Sequence, residues 1–366
     1  MTPSARPWRI RCLFRDQLAH IQPVEAALAG RAEFQYDADW DPAKITGDLV
    51  VCINEYHYDV IRCLDAARAA GIPTLTLQDG ILEWRCQYDN PLFGAAPQHQ
   101  PVLADKIACL GAQSARQIAA WGNAGKTEIT GMPRLDQLLQ RPRVPVRQPA
   151  TRLLVMTAKN PGFTEAQREI TITSLRDLKR YLDTRADLQV QWRVSKSVAD
   201  SLGVANQLQE VATGELAAQV EQADAVISTL STAMLEAMLL GRPVAALDYH
   251  NVPRFVPTAW TITAKEHIAP VVDEILRPPA TKLTFQNDCL HDCLRLDGPA
   301  APRVAALIEA MIARQPVNLP VPAKSAATID PRLLRAENEI ERLKAQLAER
   351  PVAKRLLTKL RRAAKK

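Results

Sequence analysis

The sequence predicts an α/β protein of two successive doubly wound domains, each a parallel sheet covered by helices on both faces. Three observations predict it. Short apolar runs alternate with amphipathic helical stretches through most of the chain, and apolar runs without polar alternation mark strands buried on both faces. The alternation breaks at RPRVPVRQPATR (141–152), where three prolines and no helical period read as a linker. It then restarts in the same order, and 366 residues suffice for two cores.

In the first domain (1–141), RIRCLF reads as a strand and DQLAHIQPVEAALAG as a helix interrupted by Pro23. AEFQYD and DLVVCIN are strands, and DVIRCLDAARAAG is a helix closed by Gly71. PTLTLQ and KIACLG follow as strands, SARQIAAWG as a helix with Ser114 as its cap, and KTEITG as a strand. Beyond the linker (142–152), the second domain (153–314) runs RLLVMTA strand, EAQREITITSLRDLKRYLDT helix and LQVQWRV strand. ELAAQVEQ helix, DAVIS strand, TAMLEAMLLG helix and PVAALDY strand come next, closed by helices IAPVVDEILR and APRVAALIEAMIAR. Two Rossmann-like domains then face a cleft, and ligands of such sheets lie beyond the carboxyl ends of the strands.

Residues 315–330 form a proline-rich spacer, and 331–366 a helical extension. Asp330 caps a helix with Pro331 at its first position, and Leu333, Ala336, Ile340, Leu343 and Leu347 recur at heptad spacing. This short seam, 331–350, would pair chains or bind a partner enzyme. Seven cations and no acid occupy the last fifteen residues, so the net charge of +6 belongs to the tail and the remainder carries −1. A nucleic-acid-binding body is therefore not expected. Val352, Leu356, Leu357, Leu360 and Ala364 share one helical face opposite those cations, which suits an anionic membrane surface. The chain has no apolar run long enough to cross a bilayer and no signal-peptide pattern at its start, so the expected location is cytoplasmic. The seven scattered cysteines are expected as thiols. Cys289 and Cys293 flank His291 in CLHDC, but the pair fits a helix's core face better than a zinc site lacking a fourth ligand, and no metal is expected.

Four stretches offer chemistry. In LSTAMLEAMLLGRPVAAL (230–247) hydroxyls stand at a helix mouth and one acid lies inside an apolar helix. Ser228, Thr229, Ser231 and Thr232 would surround a phosphate, helped by the free N–H groups of that helix, and Glu236 would reach the ribose. Ordinary helix capping is the plainer alternative. In TLQDGILEWRCQYDNP (76–91) a buried strand ends at Gln78, Asp79 and Gly80, with Trp84, Arg85 and Tyr88 beyond. A carboxylate there is placed for catalysis; an Asp-Gly turn is the alternative. EITGMPRLDQLL (128–139) puts Thr130, Gly131 and Arg134 at a strand end and reads as a strand-to-helix turn rather than as catalytic. TAKNPGF (157–163) carries Lys159 and Asn160 in a loop facing the cleft.

ITGMPRLD and ADAVISTLSTAMLEAMLLGRPVAAL together resemble the GT-B glycosyltransferases of bacterial surface polysaccharides, over roughly residues 45–260. The nearest group is the capsule and lipopolysaccharide Kdo transferases, with the teichoic-acid glycerophosphotransferases more distant. LQDGILEW is similar to the Glu-Asp-Gly-Phe stretch of retaining β-Kdo transferases, which implies that Asp79 is the nucleophile. The His-Pro pair common in these families is replaced here by QWRVSKS, where Arg193, Ser195 or Lys196 would serve as anion partners. The resemblance implies a GT-B enzyme, peripheral at the inner face of the bacterial inner membrane. It would move a sugar from a nucleotide sugar, with Kdo from CMP-Kdo favoured, to a lipid-linked glycan acceptor without a cofactor. An inverting UDP- or CDP-dependent glycosyl- or glycerophosphotransferase is one alternative. A non-catalytic assembly protein acting through its coiled coil is another.

Overall fold

The computed structural model describes residues 6–14, 17–36, 40–91, 97–143, 145, 147, 149–158, 161–204, 215–317 and 319. The C-terminal extension, with its heptads and basic tail, lies outside the described residues.

Two parallel sheets form the body, as the alternation predicts. The first holds β1 (Trp8–Cys12), β2 (Ala32–Tyr36), β3 (Leu49–Cys52), β4 (Thr74–Leu77), β5 (Lys106–Cys109) and β6 (Thr127–Ile129) in the order β2-β1-β3-β4-β5-β6. Helices α1 (Gln22–Ala27), α2 (Tyr58–Ala69), α3 (Trp84–Tyr88), α4 (Ala112–Ile118) and α5 (Asp136–Leu139) connect them. The second sheet holds β7 (Arg152–Met156), β8 (Gln189–Arg193), β9 (Ala225–Ser228), β10 (Val244–Leu247) and β11 (Trp260–Ile262) in the order β11-β10-β9-β7-β8. Its helices are α6 (Glu165–Leu182), α7 (Lys196–Leu202), α8 (Glu215–Gln222), α9 (Ala233–Leu239), α10 (Ile268–Ile275) and α11 (Ala280–Cys293). Every residue of β3, β4, β9 and β10 is buried, which explains why these strands carry no charged residue.

The order of each sheet reverses at its first strand. β1 lies between β2 and β3, and β7 lies between β8 and β9. Such a reversal sends the two following connections to opposite faces and opens a crevice at the carboxyl ends.

Several local expectations change. Pro23 does not interrupt a helix but sits in the first turn of α1, where a missing N–H costs nothing. Ser114 lies inside α4, its Oγ donating to Gly111 O at 3.2 Å, and Gly111 takes the cap position. The elements α3, α7 and β11 carry no clear sequence signal. Cys289 and Cys293 are buried one turn apart on α11, while His291 between them is exposed.

The largest difference concerns α12 (Ala301–Ile312), expected as the closing helix of the second domain. Val304, Ala305, Leu307, Ile308 and Met311 pack with Ile10, Val51 and Leu75 in the core of the first sheet. Asp136, on α5, caps α12 by accepting from the amides of Ala300 at 2.6 Å and Ala301 at 2.8 Å. The chain therefore crosses back, because the amphipathic face of α12 covers apolar surface that the short α1 leaves on the first sheet. Arg116 joins Asp292 through two bonds of 2.8 and 2.6 Å, and Arg295 Nη1 reaches Ile129 O at 2.8 Å. These contacts tie the two sheets together.

Candidate functional site

The site lies where the carboxyl end of β4 meets those of β7 and β9. From the first domain, β4 runs into Gln78-Asp79-Gly80. Gln78 is buried and spent on geometry: its Oε1 accepts from Leu110 N at 3.1 Å and its Nε2 donates to Gly80 O at 2.8 Å. This clamp presents Asp79, which is half-buried. Burial pushes the Asp79 carboxyl above the usual carboxylate range, opposed by its own backbone amide and by the positive charge of Arg134.

Gly80 allows the two domains to touch. A Cβ at this position would lie 2.6 Å from Thr232 Oγ1. The same hydroxyl accepts from Ile81 N at 3.1 Å. Thr232 stands at the cap of α9, yet its side chain serves the opposite domain rather than the helix.

From the second domain come the ends of β7 and β9, neighbours at the sheet's reversal. Thr229 joins them: its N donates to Met156 O at 3.1 Å, and its Oγ1 accepts from Ala158 N at 2.9 Å. Ser228 is buried and its Oγ donates to Thr229 O at 2.7 Å. Three of the four hydroxyls expected around a phosphate are thus committed to the protein itself. The fourth, Ser231 Oγ, is buried with no partner. Thr157 Oγ1, at the end of β7, is in the same state. A buried hydroxyl without a partner costs free energy, which makes these two, at the ends of neighbouring strands, candidates to meet a polar ligand. The helix α9 spans only seven residues, so its dipole adds little and the hydroxyls carry the argument. Lys159 and Asn160 lie outside the described residues.

Glu236 reaches inward from α9 as expected, but it meets a side chain that the sequence reading set aside. Its Oε1 accepts from Arg134 Nη1 at 2.8 Å, with side-chain exposures of 14% and 23%. Arg134 stands on the turn after β6, preceded by Pro133, so ITGMPRLD is brought beside Glu236. His20, after β1, is buried; desolvation first and Arg134 second push its pKa down to about 4, leaving a neutral ring. Tyr56 has its hydroxyl pKa raised by burial and then by the charge of Asp79. Asp79, Arg134, His20, Tyr56 and Glu236 thus form one electrostatic group. Of these, the sequence reading named only Asp79 and Glu236 for the site.

The remaining expected residues fall elsewhere. Arg85 is buried on α3, paired with Glu83 and donating to His250 Nε2 at 2.8 Å and Pro161 O at 3.4 Å. Since the guanidinium donates, Nε2 is the bare nitrogen, and burial and then Arg85 push the His250 pKa down to about 4. Arg85 therefore bridges the domains through protein atoms. Trp84 stacks 4.4 Å from Tyr88 and 6.1 Å from Phe255, so it too packs across the domains. Arg193 ends β8, half-buried, with its carbonyl accepting from Thr157 N at 3.2 Å; Lys196 is exposed at the start of α7. Asp248, after β10, is buried with Oδ2 unpartnered. Its carboxyl pKa is raised by burial against the nearby charges of Arg85 and Arg254.

No protein-family model matches the chain, and no curated protein matches it at a significant level. Solved structures do. The S. aureus MnaA–UDP co-structure is similar over 86% of this chain and 100% of that one, with a TM-score of 0.59 at 13% identity. Methanocaldococcus jannaschii UDP-GlcNAc 2-epimerase in complex with UDP-GlcNAc and UDP covers 82% and 99%, with a TM-score of 0.58 at 11% identity. The wall teichoic acid polymerase TagF with CDPG covers 85% and 90%, with a TM-score of 0.54 at 12% identity. The fold is therefore the GT-B fold, two parallel α/β domains as the sequence predicts.

Proposed function

We propose that this chain is a glycosyltransferase that takes a sugar from a nucleotide donor. The observation that carries the reading is the pair of unpartnered buried hydroxyls, Thr157 Oγ1 and Ser231 Oγ, at the reversal of the second sheet. They suit the donor phosphates, with Glu236 suited to the ribose and Asp79 to the sugar. Departure of a sugar from a phosphate builds positive charge on the sugar and negative charge on the phosphate. Hydroxyls and amides at the crevice stabilise the second, and the carboxylate stabilises the first, without calling on a metal.

In the favoured version the donor is CMP-Kdo and the product retains configuration. Asp79 attacks the anomeric carbon as the bond to the phosphate oxygen breaks, and that electron pair leaves with the nucleotide. The acceptor hydroxyl then attacks the same carbon, the bond to Asp79 breaks with its electron pair returning to the carboxylate, and the hydroxyl proton passes to solvent. In an inverting version with a UDP or CDP donor, Asp79 instead takes the proton of the attacking hydroxyl. The MnaA and epimerase structures are described as holding UDP or UDP-GlcNAc, and TagF as soaked with CDPG, so UDP and CDP join CMP as the comparison nucleotides.

Calorimetry against CMP, UDP, CDP and GDP tests the reading. One of them should bind, and failure of all four would favour an assembly protein with a GT-B body. Glu236→Ala should then weaken the nucleotide that binds roughly tenfold or more, since losing a hydrogen bond to a charged group costs about 1.5–3 kcal/mol. Unchanged affinity in a folded variant would remove Glu236 from the ribose site.

The acceptor in this reading is a lipid-linked glycan, reached at an anionic membrane surface. Among the described residues no helix is long and apolar enough to cross a membrane. The basic amphipathic tail is suited to dock there, at about 1 kcal/mol for each cation near the surface. Pairing through 331–350 would double the tails and strengthen docking by avidity. Truncation after Gln315 should leave nucleotide binding intact and abolish salt-sensitive sedimentation with anionic vesicles. Equal sedimentation of both proteins would place the anchor elsewhere.

A further inference from the structure

The ion pair between Arg134 and Glu236 occupies the carboxylate that the ribose would need. Arg134 belongs to the first domain and Glu236 to α9 of the second, so the pair also spans the cleft. Thr232 Oγ1 is likewise held by the first domain, through Ile81 N at 3.1 Å. Two polar groups at the mouth and along α9 are thus satisfied by the facing domain. Ser231 and Thr157 beside them are not.

We propose that Arg134 is a positioning residue that competes with the nucleotide for Glu236 and, once displaced, turns its guanidinium toward the carboxylate of Asp79. The proposal rests on the nucleotide reading above. Three features support it. Arg134 and Glu236 are partly buried, so neither can lose its partner without finding another. A ribose hydroxyl can donate to Glu236, which leaves Arg134 as the group in need of an anion. Asp79 is such an anion: its neighbour Gly80 lies against Thr232, one turn before Glu236 on α9, and the charge of Arg134 acts on it. Donor binding would thereby deliver a cation to the catalytic carboxylate and favour its charged form. The other groups acting on Asp79 and Arg134 oppose or leave this effect unchanged. His20 is neutral, Tyr56 is held protonated by burial, and the Cys86 thiol is pushed up to about 12 by burial and then Glu83.

The competition gives an outcome opposite to that of a simple binding or structural residue. Arg134→Gln should tighten the nucleotide, by about fivefold for a pair of this exposure. Arg134→Lys, which keeps the charge, should stay near wild type. In Glu236→Gln, adding Arg134→Gln should change nothing further, since the competition is already gone. Calorimetry with CMP and UDP on the full chain reads the wild type and all four variants, with circular dichroism to confirm folding. Donor turnover against pH adds a second readout: the acid limb should move to higher pH in Arg134→Gln. If wild type binds a nucleotide but Arg134→Gln binds equally or more weakly, the competition is overturned and the nucleotide reading stands. If wild type binds none of the nucleotides, both fall.

Discussion

Asp79→Asn should retain fold and nucleotide affinity while sugar transfer falls on the order of 10³-fold or more. The asparagine keeps the shape and can still accept a hydrogen bond, so ground-state binding changes little. It cannot serve as nucleophile or base, and it brings no negative charge to an oxocarbenium-like transition state. Burial raises the Asp79 pKa, so the folded state disfavours the charged carboxylate. For such a group, stability falls as pH rises from its unfolded to its folded pKa. Replacing it with a neutral amide removes that cost, so Asp79→Asn should melt at or above the wild-type temperature at neutral pH. Transfer by the wild type should rise with pH through a value above 3.8, the ordinary reference for aspartate. If configuration is retained, mass spectrometry of protein incubated with donor should find the sugar on Asp79. Full transfer activity in the folded variant would exclude Asp79 from either version of the chemistry.

The two sheets were legible because their central strands β3, β4, β9 and β10 are buried throughout, leaving short, largely apolar runs between helices. Asp79 and Glu236 stand out in the sequence as candidates because each is an acid where the surrounding period calls for something apolar or a plain turn. Arg134 does not, because a Pro-Arg after a strand is an ordinary helix entry. Only the fold brings it to Glu236, a residue 102 positions later. Thr157 was hidden for another reason: a threonine at a strand end is unremarkable until its hydroxyl proves to be buried without a partner. Conversely, Gln78, Trp84 and Arg85 have the right side chains for a ligand, and the fold spends them on the Asp79 loop and on the domain contact. The return of α12 to the first sheet was equally hidden, since its apolar face fits either domain and chain order favours the nearer one.

That return makes the contact between the sheets a structural commitment, and Gly111 tests it. Gly111 precedes α4 in an extended conformation that any residue can adopt, with φ −159°, so the backbone raises no objection to a side chain. The objection is space. A Cβ there would lie 2.5 Å from the carbonyl carbon of Cys293 and 2.6 Å from the carbonyl oxygens of Cys293 and Asp292. These are backbone atoms at the end of α11, held by Leu294 N to Leu290 O at 2.8 Å, by Arg295 N to Leu110 O at 2.8 Å and by the Arg116–Asp292 pair. They cannot swing aside as a long side chain would. Gly111→Ala should therefore destabilise the protein by about 3 kcal/mol, the upper end for an overpacked contact, and lower its melting temperature by several degrees. The strain should also reach the site, because Leu110 N is the donor to Gln78 Oε1 that clamps the Asp79 loop. Transfer should fall more than nucleotide affinity, since the residues proposed for phosphate and ribose sit on the other domain. A Gly111→Ala protein that melts with wild type would show that α4 and α11 slide freely and that their contact does not fix the two sheets.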